Sequence, residues 1–442
     1  MKKTKIICTI GPASEQKEQI NALVNNGMNV MRMNFSHGDY LEQSFRINNV
    51  NQLNAEGDNF IGLCMDTKGP EIRTGYLKDN VPVLLQKGNI IRITMDYNYL
   101  GDENKIAISY PGLFDDVNIG GHILVEDGNI SLTVIEKDYD QKELVCRINN
   151  DRKLGNKRNV DVPGEVLNMD FISPKDYNDI VFACQQNLDY ISASFVRRKE
   201  DVLAIKDILK EHGNDRIKII AKIENQEGLD NMDEIIEVSD GVMVARGDLG
   251  VNIDLWDLPT KQKEIVKKAS LQGKISVVAT QMLDSMTYNP RPTRAEVTDV
   301  YNAVLDGTMA TMLSGETAQG YYPVESVTFM AKTAESAENN FDYLNFINER
   351  FKYCKKDKDS KKVYALAKKA LEMKEDIIYL EGDYKIANLL SSFKIKKPIY
   401  IHTSKQEGRL MTMLYGIIPT TYSLDELIEN YKFDKEKIYF YK

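Results

Sequence analysis

In the run Ile219-Ile220-Ala221-Lys222-Ile223-Glu224, two opposite charges follow a β-branched apolar stretch of the kind a buried parallel strand shows. Residues two apart in a strand share a face, so the Lys222 ammonium and the Glu224 carboxylate point the same way. Burying such a pair is costly, so it closes a salt bridge or serves chemistry. Other apolar runs also end in polar residues. Arg32, Asn34 and Ser36 alternate with Met31, Met33 and Phe35, while Asp66, Asp248, Thr280 and Ser314 close four further runs. Glu224 and Asp248 are oxygen ligands suited to a divalent cation that keeps waters and binds substrate oxygens. Arg32 and Lys222 have no acid directly beside them in sequence. Such cations suit a phosphoryl group, whose transfer asks mainly for positioning and charge neutralisation.

These residues act together only if one fold brings the strand ends to one rim. Strand and helix patterns alternate through residues 1–69 and again through 160–340, with strands expected at 5–11, 30–36, 61–67, 190–196, 219–224, 241–247, 275–280 and 309–314. Eight such repeats predict a (β/α)8 TIM barrel, in which chemistry collects at the carboxyl ends of the strands. Residues 70–159 break the rhythm with short alternating strands at 90–94, 105–109, 122–126, 130–136 and 144–149, and Asp127-Gly128 marks a hairpin turn. They read as an inserted small all-β domain. Past residue 340 a charge run, Lys355 to Lys362, reads as a linker or helix start. Helical segments (362–373, 385–393) then alternate with strands (377–380, 398–402), predicting a C-terminal α/β domain over 341–442.

Composition narrows the function. A chain of 442 residues needs more than one core, and 42% apolar with 28% charged residues is ordinary for a soluble globular protein. The net charge of −9 argues against nucleic acid or an anionic membrane as partner. Five unpatterned cysteines, three of them in apolar runs (Cys8, Cys64, Cys184), suit a reducing compartment. With no signal-type segment or membrane span in view, a cytoplasmic location is expected. Trp256, the only tryptophan, is expected to pack near the loop after the sixth barrel strand.

Seven segments, in order, resemble the signatures of the pyruvate kinase family. They are Arg32-Met33-Asn34-Phe35-Ser36-His37-Gly38, the ten residues from Asp66 to Gly75, the seven from Lys222 to Gly228, and Ala245-Arg246-Gly247-Asp248-Leu249-Gly250. The others run from Ala279 to Met286, from Asn289 to Glu296, and from Met312 to Ala318. The β insertion falls where that family has its lid. The resemblance implies phosphoryl transfer from phosphoenolpyruvate to ADP, giving pyruvate and ATP. It implies that Lys222 stabilises the migrating group and the enolate oxygen, and that Arg32 holds the phosphate. Glu224 and Asp248 would bind Mg2+ (or Mn2+), with the Gly247 amide and Thr280 receiving the substrate carboxylate. Asn34, Ser36, Asp66 and Thr67 would form a K+ site. Arg73 and Lys157 would reach the nucleotide phosphates, with Asn34 and His37 close to the nucleotide. Ser314 and Glu316 resemble residues proposed for the water network that protonates the enolate. A glutamate matching Glu71 accompanies K+ dependence in the family, where a lysine otherwise replaces the cation. The segment around Arg294 resembles a subunit contact, and the family is usually a homotetramer. A barrel lyase would share the acidic Mg2+ site, but it would have no use for Lys157 or a K+ pocket.

The chain also departs from the family. Asn252 stands where a glutamate is usual and Met309 where an aspartate is usual. In the C-terminal domain, Leu380-Glu381-Gly382-Asp383-Tyr384-Lys385 replaces the hydroxyl-rich loop of members activated by sugar phosphates. Its acids repel phosphate, so fructose 1,6-bisphosphate is not expected to bind there. The chain is also expected to stop short of the family's final strand segment.

Overall fold

Eight apolar segments form the parallel strands β1 (Lys5–Thr9), β2 (Val30–Asn34), β3 (Gly62–Asp66), β4 (Tyr190–Ala193), β5 (Lys218–Ile223), β6 (Gly241–Ala245), β7 (Ile275–Ala279) and β8 (Ala310–Leu313). In the computed structural model, which describes residues 1–441, they close into a barrel, β8 pairing back onto β1. The two-residue period of each strand separates two cores. On β5, Ile219, Ala221 and Ile223 join the core beneath the surrounding helices, whereas Ile220 joins Ile7, Val30, Cys64, Tyr190 and Met243. The same alternation puts Lys222 on the inner row. Along β2, β3 and β4 that row turns from apolar to polar toward the carboxyl end: Val30 to Arg32, Cys64 to Asp66, Tyr190 to Ser192. The polarity of the barrel mouth is thus written in alternate residues.

The inserted segment builds its own sheet. Its spatial order is Ile72–Arg73, Asn159–Asp161, His122–Val125, Ile130–Asp138, Glu143–Ile148, Ile90–Thr94 and Lys105–Ala107, with a separate pair, Val83–Leu85 and Arg152–Leu154. Ile91, Ile93, Ile123, Leu132, Val134 and Leu144 pack in its interior. The tight turn expected at Asp127-Gly128 is present, with φ of 56°, 54° and 79° at Glu126, Asp127 and Gly128. All five strands expected here form. The four others are only two or three residues long, too short to show a period.

The C-terminal residues form a four-stranded parallel sheet ordered Ile417–Thr420, Ile399–His402, Ile377–Glu381, Ile438–Phe440. Its first and last strands were not anticipated. This unit docks on the amino-terminal floor of the barrel, where one apolar cluster joins Ile7, Val30 and Met309 to Phe393, Met411 and Leu414, and polar contacts add to it. Tyr190 donates its hydroxyl to Leu410 O at 2.5 Å, Arg409 forks onto the Asp189 carboxylate, and Lys394 Nζ donates to Thr308 O at 2.8 Å.

Trp256 does not pack: its side chain is 78% exposed, beyond the short helix Arg246–Asn252 that follows β6. Apolar spacing gave no sign of this. Among the described residues no helix is long and apolar enough to cross a membrane.

Candidate active site

The cations at the mouth of the barrel converge on one acid. Arg32 Nε donates to Asp66 Oδ2 at 2.7 Å, and Lys222 Nζ donates to Asp66 Oδ1 at 3.0 Å. Arg32 and Lys222 have no acid beside them in sequence, but strand register brings Asp66 between them. Burial acts against every charge here, and for Arg32, Asp66 and Lys222 mutual pairing outweighs it. Asp66 is held below the ordinary carboxylate range by Arg32 and Lys222. Burial pulls Lys222 down, but Asp66 and Glu224 hold it above its usual value. Ser194 Oγ accepts from Lys222 Nζ at 2.8 Å and donates to Thr67 O at 2.6 Å, locking the ammonium against the strand end.

Glu224 completes the cluster with one oxygen to spare. Phe195, at φ 55°, donates its N–H to Glu224 Oε2 at 2.6 Å. Oε1 lies 3.0 Å from Lys222 Nζ, yet it is buried and accepts no hydrogen bond, because the ammonium is aimed at Asp66 and Ser194. Burial pushes the Glu224 carboxyl up to about 8; Lys222 opposes this and the charge of Asp248 adds to it. An undonated, buried carboxylate oxygen near a second carboxylate is a donor set that fits a divalent cation.

Asp248 lies in the first turn of helix Arg246–Asn252, beside Gly247. Gly247 N donates to Thr280 Oγ1 at 2.7 Å. Thr280 sits at φ 66°, an unusual conformation for a β-branched residue. Arg246 braces it, donating to Thr280 O at 2.6 Å while paired to Asp299 at 2.7 Å. A β-carbon on Gly247 would meet Thr280 only at ordinary contact, 3.6 Å, so the protein itself leaves that place open. Across the rim, Ser314 N and Leu283 N donate to the two oxygens of buried Glu316 at 2.8 and 3.0 Å. On the remaining side Asn34 Oδ1 accepts from Ser36 N at 3.0 Å, next to Asp66 and Thr67. These four residues present oxygen donors with lone pairs left, which fits a monovalent cation.

Between rim and inserted domain lies a cleft of about 440 Å³, lined by Arg73, Lys157, Arg158, Arg197, Phe195 and Asp248 among others. Arg73 donates to Lys157 O at 2.9 Å and pairs with Glu71, while Lys157 Nζ lies 4.4 Å from the centroid of the Tyr76 ring. His37 is exposed, and its backbone N–H donates to Asn34 O at 3.3 Å. Sequence reasoning missed Ser194, Phe195, Arg246 and Asp299. Phe195 acts through its amide, which no residue type advertises, while the Arg246–Asp299 pair spans 53 residues.

Fold and site together define a (β/α)8-barrel enzyme whose charged mouth is covered by an inserted β domain. Residues 1–327 match the family described as pyruvate kinase, barrel domain. The chain is 44% identical over 435 residues to the pyruvate kinase of Bacillus licheniformis, covering 97% of this chain and 74% of that one. It is 44% identical over 434 residues to the Clostridium acetobutylicum pyruvate kinase, covering 97% and 91%. The crystal structure of a pyruvate kinase from Cryptosporidium parvum superposes with a TM-score of 0.90 at 37% identity, covering 96% of this chain and 88% of that one. The chain belongs to the pyruvate kinase family.

Proposed function

We propose that the chain transfers the phosphoryl group of phosphoenolpyruvate to ADP, giving pyruvate and ATP, the last step of glycolysis. The observation that carries this reading is the convergence of Arg32, Lys222 and Glu224 around buried Asp66 at the barrel mouth. Lys222, kept charged by its acids, neutralises the migrating group and the enolate oxygen. Arg32 holds the phosphate, while the Gly247 amide and Thr280 receive the carboxylate. Arg73 and Lys157 grip the nucleotide phosphates from the lid side, with Asn34 and His37 nearby. Ser314 and Glu316 orient the water that protonates the enolate.

Glu224 and Asp248 would hold Mg2+, or Mn2+, which when bound neutralises charge on the substrate oxygens. Asn34, Ser36, Asp66 and Thr67 would hold K+. A homo-oligomer, tetrameric as is usual in the family, is supported by the large apolar side chains left in solvent: Leu255 (66%), Trp256 (78%), Tyr288 (68%) and Tyr321 (74%). All five cysteines are free, in keeping with a cytoplasmic location. In the C-terminal domain the Asp383 carboxylate accepts from Ile386 N at 3.0 Å and so fills the helix N-terminus that a phosphate would need. Fructose 1,6-bisphosphate therefore does not bind at that loop. A change from sigmoidal to hyperbolic phosphoenolpyruvate kinetics on adding it would count against this.

The test of the function is pyruvate formation from phosphoenolpyruvate and ADP in a coupled assay, with and without Mg2+ and K+. No pyruvate under any of these conditions overturns it.

A further inference from the structure

The last strand of the inserted domain, Asn159–Asp161, ends in a carboxylate that crosses to the barrel. Asp161 Oδ1 accepts a hydrogen bond from Asn252 Nδ2 at 3.0 Å. The same nitrogen donates to Asp248 O at 3.0 Å, inside helix Arg246–Asn252. Both protons of the Asn252 amide are thus in use, and one nitrogen joins the lid to the helix that carries Asp248. The neighbouring residue makes a second approach: a β-carbon on Gly128, in the lid's hairpin turn, would stand 3.7 Å from Val251 Cγ1. Asp161 is tied on its own side to Asn159 Nδ2, which in turn donates to Asp127 Oδ1 at 2.8 Å.

The charges that act most strongly on Asp161 are other acids. Burial, with Asp248, Asp127 and Glu71 adding to it, pushes the Asp161 carboxyl up to about 7, and the bond from Asn252 opposes that. A carboxylate so placed stays only where a donor meets it. The residue at 252 therefore decides whether the lid can rest here. An amide attracts Asp161, and the glutamate usual at this position would repel it.

We propose that Asn252 and Asp161 form a latch that sets the closed position of the lid over the cleft, making both positioning residues for nucleotide binding. The nucleotide half of this rests on the phosphoryl-transfer reading above; the latch half does not. In the unliganded full-length protein, hydrogen–deuterium exchange at the two lid connections, residues 67–73 and 159–166, reports the latch directly. Asn252→Asp sets carboxylate against carboxylate. It is expected to speed exchange at both connections and to raise the KM for ADP about tenfold, the equivalent of one lost charge-assisted hydrogen bond, with kcat within about threefold. The double variant D161N/N252D rebuilds the bond with its polarity reversed and is expected to return both readouts to within about twofold of the native protein. Asn252→Ala removes the amide without adding charge and moves both readouts the same way by less, so the test survives a misfolded Asn252→Asp. Native-like exchange in Asn252→Asp and Asn252→Ala, or failure of the double variant to restore it, overturns the latch. Faster exchange in a protein whose native form makes no pyruvate upholds the latch and overturns the reaction instead.

Discussion

Phe195 donates its backbone N–H to Glu224 Oε2 at 2.6 Å from a left-handed conformation. A bulky residue pays strain to hold such a φ, and here the strain aims an amide at one carboxylate oxygen and leaves the other without a donor. The bare oxygen sits beside the ammonium of Lys222 and within the field of Asp248. One backbone bond thus fixes which face of Glu224 is available to a ligand.

Replacing Lys222 by methionine removes the cation between Asp66 and Glu224. Turnover in pyruvate formation is expected to fall by roughly 10³-fold or more, the scale for losing a preorganised charge stabiliser. Circular dichroism should match that of the native protein, showing that the variant is folded. Turnover within about tenfold of the native protein would refute the role.

Glu224→Gln keeps an acceptor for Phe195 N–H and deletes the charge. Mg2+ should raise the melting temperature of the native protein, since a ligand of the folded state alone stabilises it. The variant should lose that rise, and its half-saturating Mg2+ should increase at least about tenfold. An equal Mg2+-dependent rise in both proteins would show that the ion binds elsewhere.

If K+ binds among Asn34, Ser36, Asp66 and Thr67 as proposed, the reaction should depend on that ion, as the resemblance at Glu71 also implies. Rates in Na+ or tetramethylammonium should fall well below those in K+. Glu71→Lys, which supplies the lysine that replaces the cation elsewhere in the family, should make the rate indifferent to the cation. Equal native rates in all three salts would exclude the site.

Two buried lysines at the junction of barrel and C-terminal domain give stability a pH dependence. Burial pulls Lys5 and Lys394 from 10.5 down to about 7. Between about pH 7 and 10 the unfolded chain binds protons that the folded chain does not, so stability rises with pH through this window and is lost as pH falls toward 7. Urea midpoints measured across it should show this rise. Lys394→Met should flatten the slope by about one proton, or about 1.4 kcal/mol per pH unit. An unchanged slope would mean that Lys394 stays charged in the fold.

Much of this architecture could be read from the chain. All eight barrel strands and the β insertion followed from period and turn residues, because short apolar runs that alternate with helical spacing eight times leave little choice of fold. The charged residues at the strand ends were legible too. Their partners were not: Asp66 meets Arg32 and Lys222 only after β3 pairs with β2 and β4, and register is not a local property. The left-handed backbone of Phe195 and Thr280 has no compositional marker, as neither is a glycine. Short strands such as Asn159–Asp161 exist because a neighbour pairs with them. Trp256 was misjudged because size and apolarity suggest burial, and the short helix before it leaves the side chain in solvent.

Tyr190 belongs to the same inward row as Ser192 and Ser194, and its hydroxyl is anchored in the C-terminal domain at Leu410. Four residues of stiff, extended backbone therefore separate the floor of the barrel from the serine that steadies Lys222. A displacement of the segment around Leu410 would thus have one short strand of the barrel wall between it and the Lys222 ammonium, without passing through solvent or the lid.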